Sequence, residues 1–476
     1  MSLKYSSLLL ALALLAGGCA HHSANAPLQT TDARGGYRFQ NATAQTNADD
    51  LLLLLAFSGG GTRAAALAYG ALEELRKTEV GQPDGRHPLL NDVNLISAVS
   101  GGSFTAACYA LWGDRIFTDF EPYFLKKKVQ TGLFLRTLEP WNQIRMASPK
   151  FGRSDLAAEY YDHLLFKGAT FADLASRAGR PFLSINATDL GSGARFEFTQ
   201  DEFDLLHSDL ASFPISRAVA ASSAFPVLLS PVVLKNYSAG QSQPEPEWVQ
   251  EIMRDPASSS RLRYVAAKAA SYADGRRRFI HLLDGGLSDD LGLRGILDRA
   301  IAREQSSHMP GVPWQMPRRV ALVVVDAHTD KDYGWDAQDR PLLGRKALLG
   351  SIGQAVVSRY SFETIELFRE AMARLSRERT GPEGSSSPPV NTYVIELHFN
   401  ELPDPAERRF FNAVPTSLEL APDTVDRLRR LAARELADNP EYGRLVADLR
   451  NQPGKPGLPT RPSLAAAQVA TPAAKP

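Results

Sequence analysis

The sequence predicts an α/β fold in which helices cover a mainly parallel sheet, and three observations lead there. Six short apolar runs are hydrophobic along their whole length, as strands buried on both faces must be: Leu51–Phe57, Leu95–Val99, Pro181–Ala187, Phe279–Leu283, Val320–Val325 and Tyr393–Leu397. Stretches of helical spacing separate them. Leu67, Ala71 and Leu75 recur every four residues after the first run, and near the end Asp423 can cap a helix whose face is Val425, Leu428, Leu431, Ala432 and Leu436. The composition, 44% hydrophobic and 22% charged over 476 residues, is that of an ordinary globular chain and excludes a disordered or fibrous one. Fifty-three basic residues balance 53 acidic ones, which removes the electrostatic case for a nucleic-acid partner. Two cysteines exclude a disulfide framework and a four-cysteine zinc site.

The two ends stand outside this body. Lys4 precedes the apolar run Leu8–Ala16 and then Gly17-Gly18-Cys19. A membrane-spanning helix needs about 20 apolar residues, so this run is too short to span and has the layout of a secretory leader. Leu15-Ala16-Gly17-Gly18-Cys19 resembles a bacterial lipobox, which implies a leader over residues 1–18 and acylation of Cys19. Two or more acyl chains would hold the protein on a membrane stably. Ala20 after the cysteine resembles lipoproteins sent on to the outer membrane, here facing the periplasm. Residues 19–49 are polar and aperiodic and read as a flexible tether, and the Pro- and Ala-rich residues 452–476 read as a disordered tail. That leaves one domain over residues 50–451. Its two polar, Gly-, Ser- or Pro-rich stretches, 232–278 and 376–391, read as surface insertions or lids.

Open α/β sheets carry their sites at the carboxyl ends of strands, and three such ends bear suitable residues. The first run leads into Ser58-Gly59-Gly60-Gly61-Thr62-Arg63, where glycines allow a sharp turn and aim backbone N–H groups inward beside a helix start. Such a loop can hold an oxyanion or a phosphate, although Ala64 and the lack of Gly-Lys-Ser/Thr fit no nucleotide fingerprint. The second run ends in Ala98-Val99-Ser100-Gly101-Gly102-Ser103, a strand-to-helix turn of the nucleophile-elbow kind. Ser100 follows the strand directly and is preferred over its rival Ser103; Cys108 reads as a small core residue. The third run ends in Asp284-Gly285-Gly286, where the glycines permit close approach and the carboxylate can take a serine proton.

Taken in order, SGGGTRA, AVSGGS and DGG resemble the patatin-like phospholipases, and Asn186-Ala187-Thr188-Asp189 and Ala220–Pro226 fit the same pattern. The match runs over about residues 50–330 and points to the bacterial, lipoprotein type. The resemblance implies a three-layer α/β fold and hydrolysis of lipid acyl esters by a Ser-Asp dyad: Ser100 as nucleophile, Asp284 as its base, Gly59, Gly60 and Gly61 around the oxyanion. Arg63 beside the loop would brace it or contact an anionic headgroup. Membrane lipids are then the substrate, and no cofactor and no metal is called for. Ser58, Ala64 and Ala98 depart from the family's usual residues, each by a small change.

Two other readings compete. A Ser-His-Asp hydrolase would need His281 or, better placed in chain order, His328 after Asp326. A membrane-anchored scaffold would have kept the fold with little or no turnover. Asp189, Asp289, Asp290 and Asp326 lie on separate strand ends without histidine or glutamate at ligand spacing, and read as polar loop residues rather than metal ligands.

Overall fold

The computed structural model describes residues 25–451, apart from 31, 33, 44–49, 82–84, 178, 227, 240–244, 274, 306–308, 311–316, 331–344 and 378–389. The expected leader, Cys19, the expected tail and most of the stretch 376–391 therefore lie outside the described residues.

All six apolar runs become strands of one eight-stranded sheet: β1 (Leu51–Phe57), β2 (Val93–Val99), β3 (Phe182–Asp189), β4 (Ala194–Glu197), β5 (Val232–Lys235), β6 (Phe279–Asp284), β7 (Arg319–Val325) and β8 (Asn391–Leu397). The order is β8-β7-β1-β2-β3-β6-β5, with β4 paired to β3. Strands β1, β2, β3 and β7 are buried at every position, which is why their sequences show no polar alternation. At the sheet edges β5 and β8 do alternate.

The pairs β8–β7, β7–β1, β1–β2 and β2–β3 are parallel, but β6 runs antiparallel to β3 and to β5. This departs from the expectation that the run Phe279–Leu283 joins the parallel set. The register shows where it joins the sheet. Val99, the last residue of β2, lies opposite Asn186, so Ala187, Thr188 and Asp189 project beyond the end of β2. Strand β6 pairs with this overhang, Leu282 with Asp189, Leu283 with Thr188 and Asp284 with Ala187. It descends toward the end of β2 and stops beside it, so Asp284 arrives from the opposite direction.

Helices flank the sheet in a three-layer α/β arrangement. Helix α1 (Thr62–Lys77) follows β1, and α2 (Ser100–Trp112) follows β2 with all but its last residue buried. Helices α3 (Val129–Leu138) and α4 (Pro140–Met146) lie further out, and α5 (Ile215–Ser222) packs against α2 and β3. Near the end of the chain comes the long α9 (Arg345–Arg377), followed by α10 (Pro422–Asp438) on α1 and α11 (Pro440–Arg450) on β8. The predicted face of α10, Val425, Leu428, Leu431, Ala432 and Leu436, is the buried one, but the helix starts at Pro422 after Ala421, so Asp423 lies in its first turn and does not cap it.

Two stretches differ from their sequence reading. The insertion 232–278 opens with sheet strand β5 and continues as α6 (Glu247–Arg254) and α7 (Ser260–Ala273). With α8 (Arg294–Glu304), these helices enclose a small second core around Val249, Ile252, Leu262, Ala266 and Ala302. Its polar average hid an amphipathic helix pair. Part of the expected tether, the described residues from 25 to 43, docks on the body. Ala26–Pro27 pair with Ser208–Asp209, and Tyr37 stacks on Phe182 with ring centroids 4.5 Å apart. Phe39 is buried, and Arg38 is paired with Asp201 and Asp204, both at 2.5 Å. Two aromatics and one buried arginine, sparse in a polar stretch, are enough to hold it.

Candidate active site

Strand β2 delivers Ser100 to the first position of α2 with φ +47°, in the left-handed region that non-glycine residues avoid. Such a conformation costs on the order of 1–3 kcal/mol and must be held by its surroundings. Here the holding contacts are polar and buried. The Ser100 N–H donates to Ser222 Oγ at 2.8 Å, and Ser222 Oγ donates to the Asn186 carbonyl at 2.7 Å. The Ser103 hydroxyl donates to the Ser100 carbonyl at 2.5 Å and is fully buried, so the rival serine faces inward. Cys108, further along α2, is also fully buried.

The elbow sits hard against the glycine loop. A Cβ on Gly101 would lie 2.1 Å from the Gly61 carbonyl oxygen, and one on Gly102 would lie 2.7 Å from the Ser58 carbonyl oxygen. The two glycines after Ser100 are therefore needed for backbone-to-backbone contact. Ala98, by contrast, lies in extended β2, where alanine serves as well as glycine.

Asp284 ends β6 directly opposite. The Ser100 hydroxyl donates to Asp284 Oδ2 at 2.8 Å, and Gly286 N–H donates to Oδ1 at 2.9 Å. Thr188 Oγ1 donates to the Asp284 carbonyl at 2.8 Å, while Asp284 N–H and Gly285 N–H donate to the Ala224 and Ser222 carbonyls, both at 3.1 Å. Thus the segment Ala220–Pro226 and the strand end Asn186–Asp189 both position the carboxylate. Burial pushes the Asp284 carboxyl up to about 6, against the opposing pull of the Gly286 and Ser100 hydrogen bonds. No histidine stands between the two groups. His281 is exposed on β6, and His328 lies 3.6 Å from Asp330 through Nε2.

In the glycine loop, Gly60 and Gly61 have φ of +136° and +62°. The Gly59 N–H donates to the Asp290 carbonyl at 3.1 Å and so is turned away from the oxyanion position expected of it. Among the described residues no acceptor holds the N–H of Gly60 or Gly61, which leaves these two as the donors the loop can offer. Arg63 is buried with its guanidinium against the loop, a Cβ on Gly60 standing 3.1 Å from one of its terminal nitrogens. Its Nε donates to the Ala327 carbonyl at 2.8 Å, one terminal nitrogen to the Val414 carbonyl at 2.6 Å, and the other to Thr416 Oγ1 at 3.2 Å. The guanidinium ties three chain segments together. Burial lowers its pKa to about 10, with Asp290 and Asp326 opposing.

Asp290 is the residue that sequence reasoning missed, having weighed it only as a metal ligand. A Cβ on Gly59 would stand 2.5 Å from Asp290 Oδ1 and 3.4 Å from Ser100 Cβ, so that oxygen is within about 6 Å of Ser100. A Cβ on Gly286 would stand 2.7 Å from Asp290 Oδ1 and 3.2 Å from Asp284 Oδ1, so the two carboxyls are also within about 6 Å. Burial, then the nearby Asp326 and Asp284 carboxylates, hold the Asp290 carboxyl well above the usual range. The spacing Asp-Gly-Gly followed by Asp289-Asp290 was visible; its folding back on the loop was not. Asp189 is engaged elsewhere, with Arg277 and the Tyr272 hydroxyl, and Asp289 accepts from the Leu293 and Arg294 N–H groups. A cavity of about 150 Å³ lined by Arg195, Glu197, Lys268 and Arg299 contains neither Ser100 nor Asp284 in its wall.

A strained serine hydrogen-bonded to a raised carboxyl, beside two N–H groups with no acceptor among the described residues, can carry acyl transfer. Residues 55–297, just over half of the chain, match the family profile described as patatin-like phospholipase. No curated protein matches the chain by sequence. Among solved structures, human GIVD cytosolic phospholipase A2 is similar at 14% identity with a TM-score of 0.45, over 91% of this chain and 69% of that one. The same human protein with methyl gamma-linolenyl fluorophosphonate and terbium chloride is similar at 15% identity and TM-score 0.41, over 87% and 63% of the two chains. With methyl gamma-linolenyl fluorophosphonate the figures are 14% and 0.42, over 86% and 62%.

Proposed function

The chain belongs to the patatin-like phospholipase family of lipid acyl hydrolases, and on that premise we propose that it cleaves acyl esters of membrane lipids through Ser100 and Asp284. One observation carries this reading: the 2.8 Å hydrogen bond from the hydroxyl of a left-handed Ser100 to a buried carboxyl, with no histidine between them.

The chemistry follows from the placement. Asp284 takes the Ser100 proton as Oγ bonds to the ester carbonyl carbon, and the carbonyl π electrons become an oxyanion facing the Gly60 and Gly61 N–H groups. Collapse breaks the ester C–O bond, and the leaving alkoxide takes the proton from Asp284. Water then attacks the acyl-enzyme, Asp284 again accepting the proton, and the fatty acid departs as Ser100 is regenerated. A base pushed up to about 6 is ionised at neutral pH yet basic enough to assist.

The test is hydrolysis of a phospholipid panel by wild type, Ser100→Ala, Asp284→Asn and His328→Ala. The first two substitutions should reduce kcat to background and prevent labelling by an alkyl fluorophosphonate, whereas His328→Ala should retain the wild-type rate. Loss on His328→Ala with retention in Asp284→Asn would favour a Ser-His-Asp enzyme; an unlabelled, inactive wild type would favour a scaffold. We also propose that this is a bacterial lipoprotein, acylated on Cys19 after removal of residues 1–18 and held on the outer membrane facing the periplasm. Mass spectrometry of the mature N-terminus checks the first part and membrane fractionation the second.

A further inference from the structure

Helices α3 and α4 carry five large apolar side chains, Phe134, Leu135, Leu138, Trp141 and Ile144, each more than half exposed and all within eleven residues of chain. Of α3 only Val129 is buried, and of α4 only Asn142. An apolar patch this dense needs something to cover it. The same segment is also strongly basic in a chain of zero net charge: residues 126–153 hold seven lysines and arginines against one acid, Glu139. Lys127, Lys128, Lys150 and Arg153, which bracket the two helices in sequence, are exposed and have no ion pair among the described residues.

We propose that the exposed face of α3 and α4 is the surface on which this protein docks against an anionic lipid bilayer, apolar side chains entering the acyl region and the flanking cations meeting the headgroups. The arrangement is that of an interfacial helix pair. Charge decides the occupant. A second copy of the chain would set two strongly positive segments against each other, whereas an anionic membrane strengthens binding by roughly fivefold per basic residue near its surface.

The patch is tied to the reacting loop. Gln130 Oε1, at the start of α3, accepts from Ser417 Oγ at 2.8 Å and from Leu418 N–H at 3.1 Å. Thr131 donates to Glu419 from its hydroxyl at 2.7 Å. Ser417 in turn pairs with Gly61, accepting from the Thr62 N–H at 2.7 Å. A bilayer on α3 and α4 therefore lies two hydrogen-bonded links from the oxyanion donors. The choice of a lipid surface rests on the lipid-hydrolase reading, but the docking is measurable without turnover.

The experiment uses the full chain carrying Ser100→Ala and vesicles of phosphatidylcholine, with or without phosphatidylglycerol, whose acyl chains are brominated. Trp141 fluorescence, taken as the difference from the additional Trp141→Phe variant, should be quenched by the anionic vesicles. The quench should weaken several-fold in high salt or on Lys127→Glu/Lys128→Glu. Attachment through the N-terminus alone would bring the chain to the vesicle without placing Trp141 among acyl chains. On the Ser100 background, Leu135→Asp/Ile144→Asp should cut hydrolysis of vesicle phospholipid at least tenfold and leave a water-soluble short-chain ester unaffected. Absence of Trp141 quenching overturns the proposal, as does an equal loss on both substrates. So does a dimer in sedimentation that Leu135→Asp/Ile144→Asp dissociates. If neither substrate is hydrolysed while Trp141 is still quenched, docking stands and the hydrolase reading falls.

Discussion

Replacing Asp290 with asparagine is expected to abolish an alkaline limb in the pH–rate profile while leaving the acid limb in place. On the proposed Ser100–Asp284 mechanism the acid limb is assigned to Asp284: kcat/KM is expected to rise with pH through about 6 as that carboxyl ionises. Asp290 behaves oppositely. Burial, then the Asp326 and Asp284 carboxylates, hold its carboxyl well above the usual range, with the Arg63 guanidinium opposing, so its ionisation is displaced toward alkaline pH. When it does ionise, a second negative charge stands within about 6 Å of Ser100, where the oxyanion develops. At an effective dielectric of about 20, two unit charges about 6 Å apart repel by about 2.8 kcal/mol. That is about a hundredfold in rate. Asparagine has the same shape and no charge to gain, so Asp290→Asn should hold its plateau at alkaline pH. The assay is kcat/KM on a soluble ester across the range in which circular dichroism shows the fold intact. An Asp290→Asn profile that keeps the wild-type alkaline limb, or a wild type without one, would refute the reasoning.

Three further outcomes are expected. Gly101→Ala must part the elbow from the glycine loop, because its Cβ meets the Gly61 carbonyl at 2.1 Å; losing oxyanion alignment should lower kcat by about 10²–10³, read with an ester substrate. Arg63→Lys should fail to rescue Arg63→Ala, since one ammonium cannot reach Ala327, Val414 and Thr416 together. Leaving the buried carbonyls unpaired should cost at least about 2 kcal/mol in urea unfolding, and rescue by lysine on anionic lipids alone would point to a headgroup contact instead. Asp284→Asn should stabilise the fold at pH 7. Raising the folded carboxyl from 3.8 to about 6 means that the native state binds the extra proton, so stability falls as pH rises through that window. The penalty present above it is up to about 3 kcal/mol, and thermal unfolding at pH 7 should show a gain that vanishes below pH 4. An equal gain at both pH values would mean that packing, not ionisation, is responsible.

The strand runs, the glycine loop, the serine turn and the aspartate before two glycines were all legible in the chain, because each depends on local requirements. A strand buried on both faces cannot carry polar alternation, and a backbone turning under another backbone cannot carry a side chain. The face of α10 and the burial of Cys108 followed from the same local rules. Less was legible where the cause lies in averages or in contacts between distant segments. Tyr37 and Phe39 anchor a stretch whose composition is polar, and the helix pair α6–α7 sits inside one that reads as a lid.

By itself, then, the sequence determined which residue types stand at which strand ends, and that a parallel sheet would gather them. Only the tertiary structure decided how they meet. Strand β6 pairs antiparallel with the end of β3 that projects beyond β2 and so brings Asp284 down on Ser100, and no local pattern encodes the length of an overhang. Likewise, the fold of residues 284–290 returns the Asp290 carbonyl to Gly59, withdrawing one of the three glycine amides and setting a second carboxyl beside the first. Electrostatic character in such a site depends on separations of a few ångströms between residues nearly two hundred positions apart, and those separations exist only once the chain has packed.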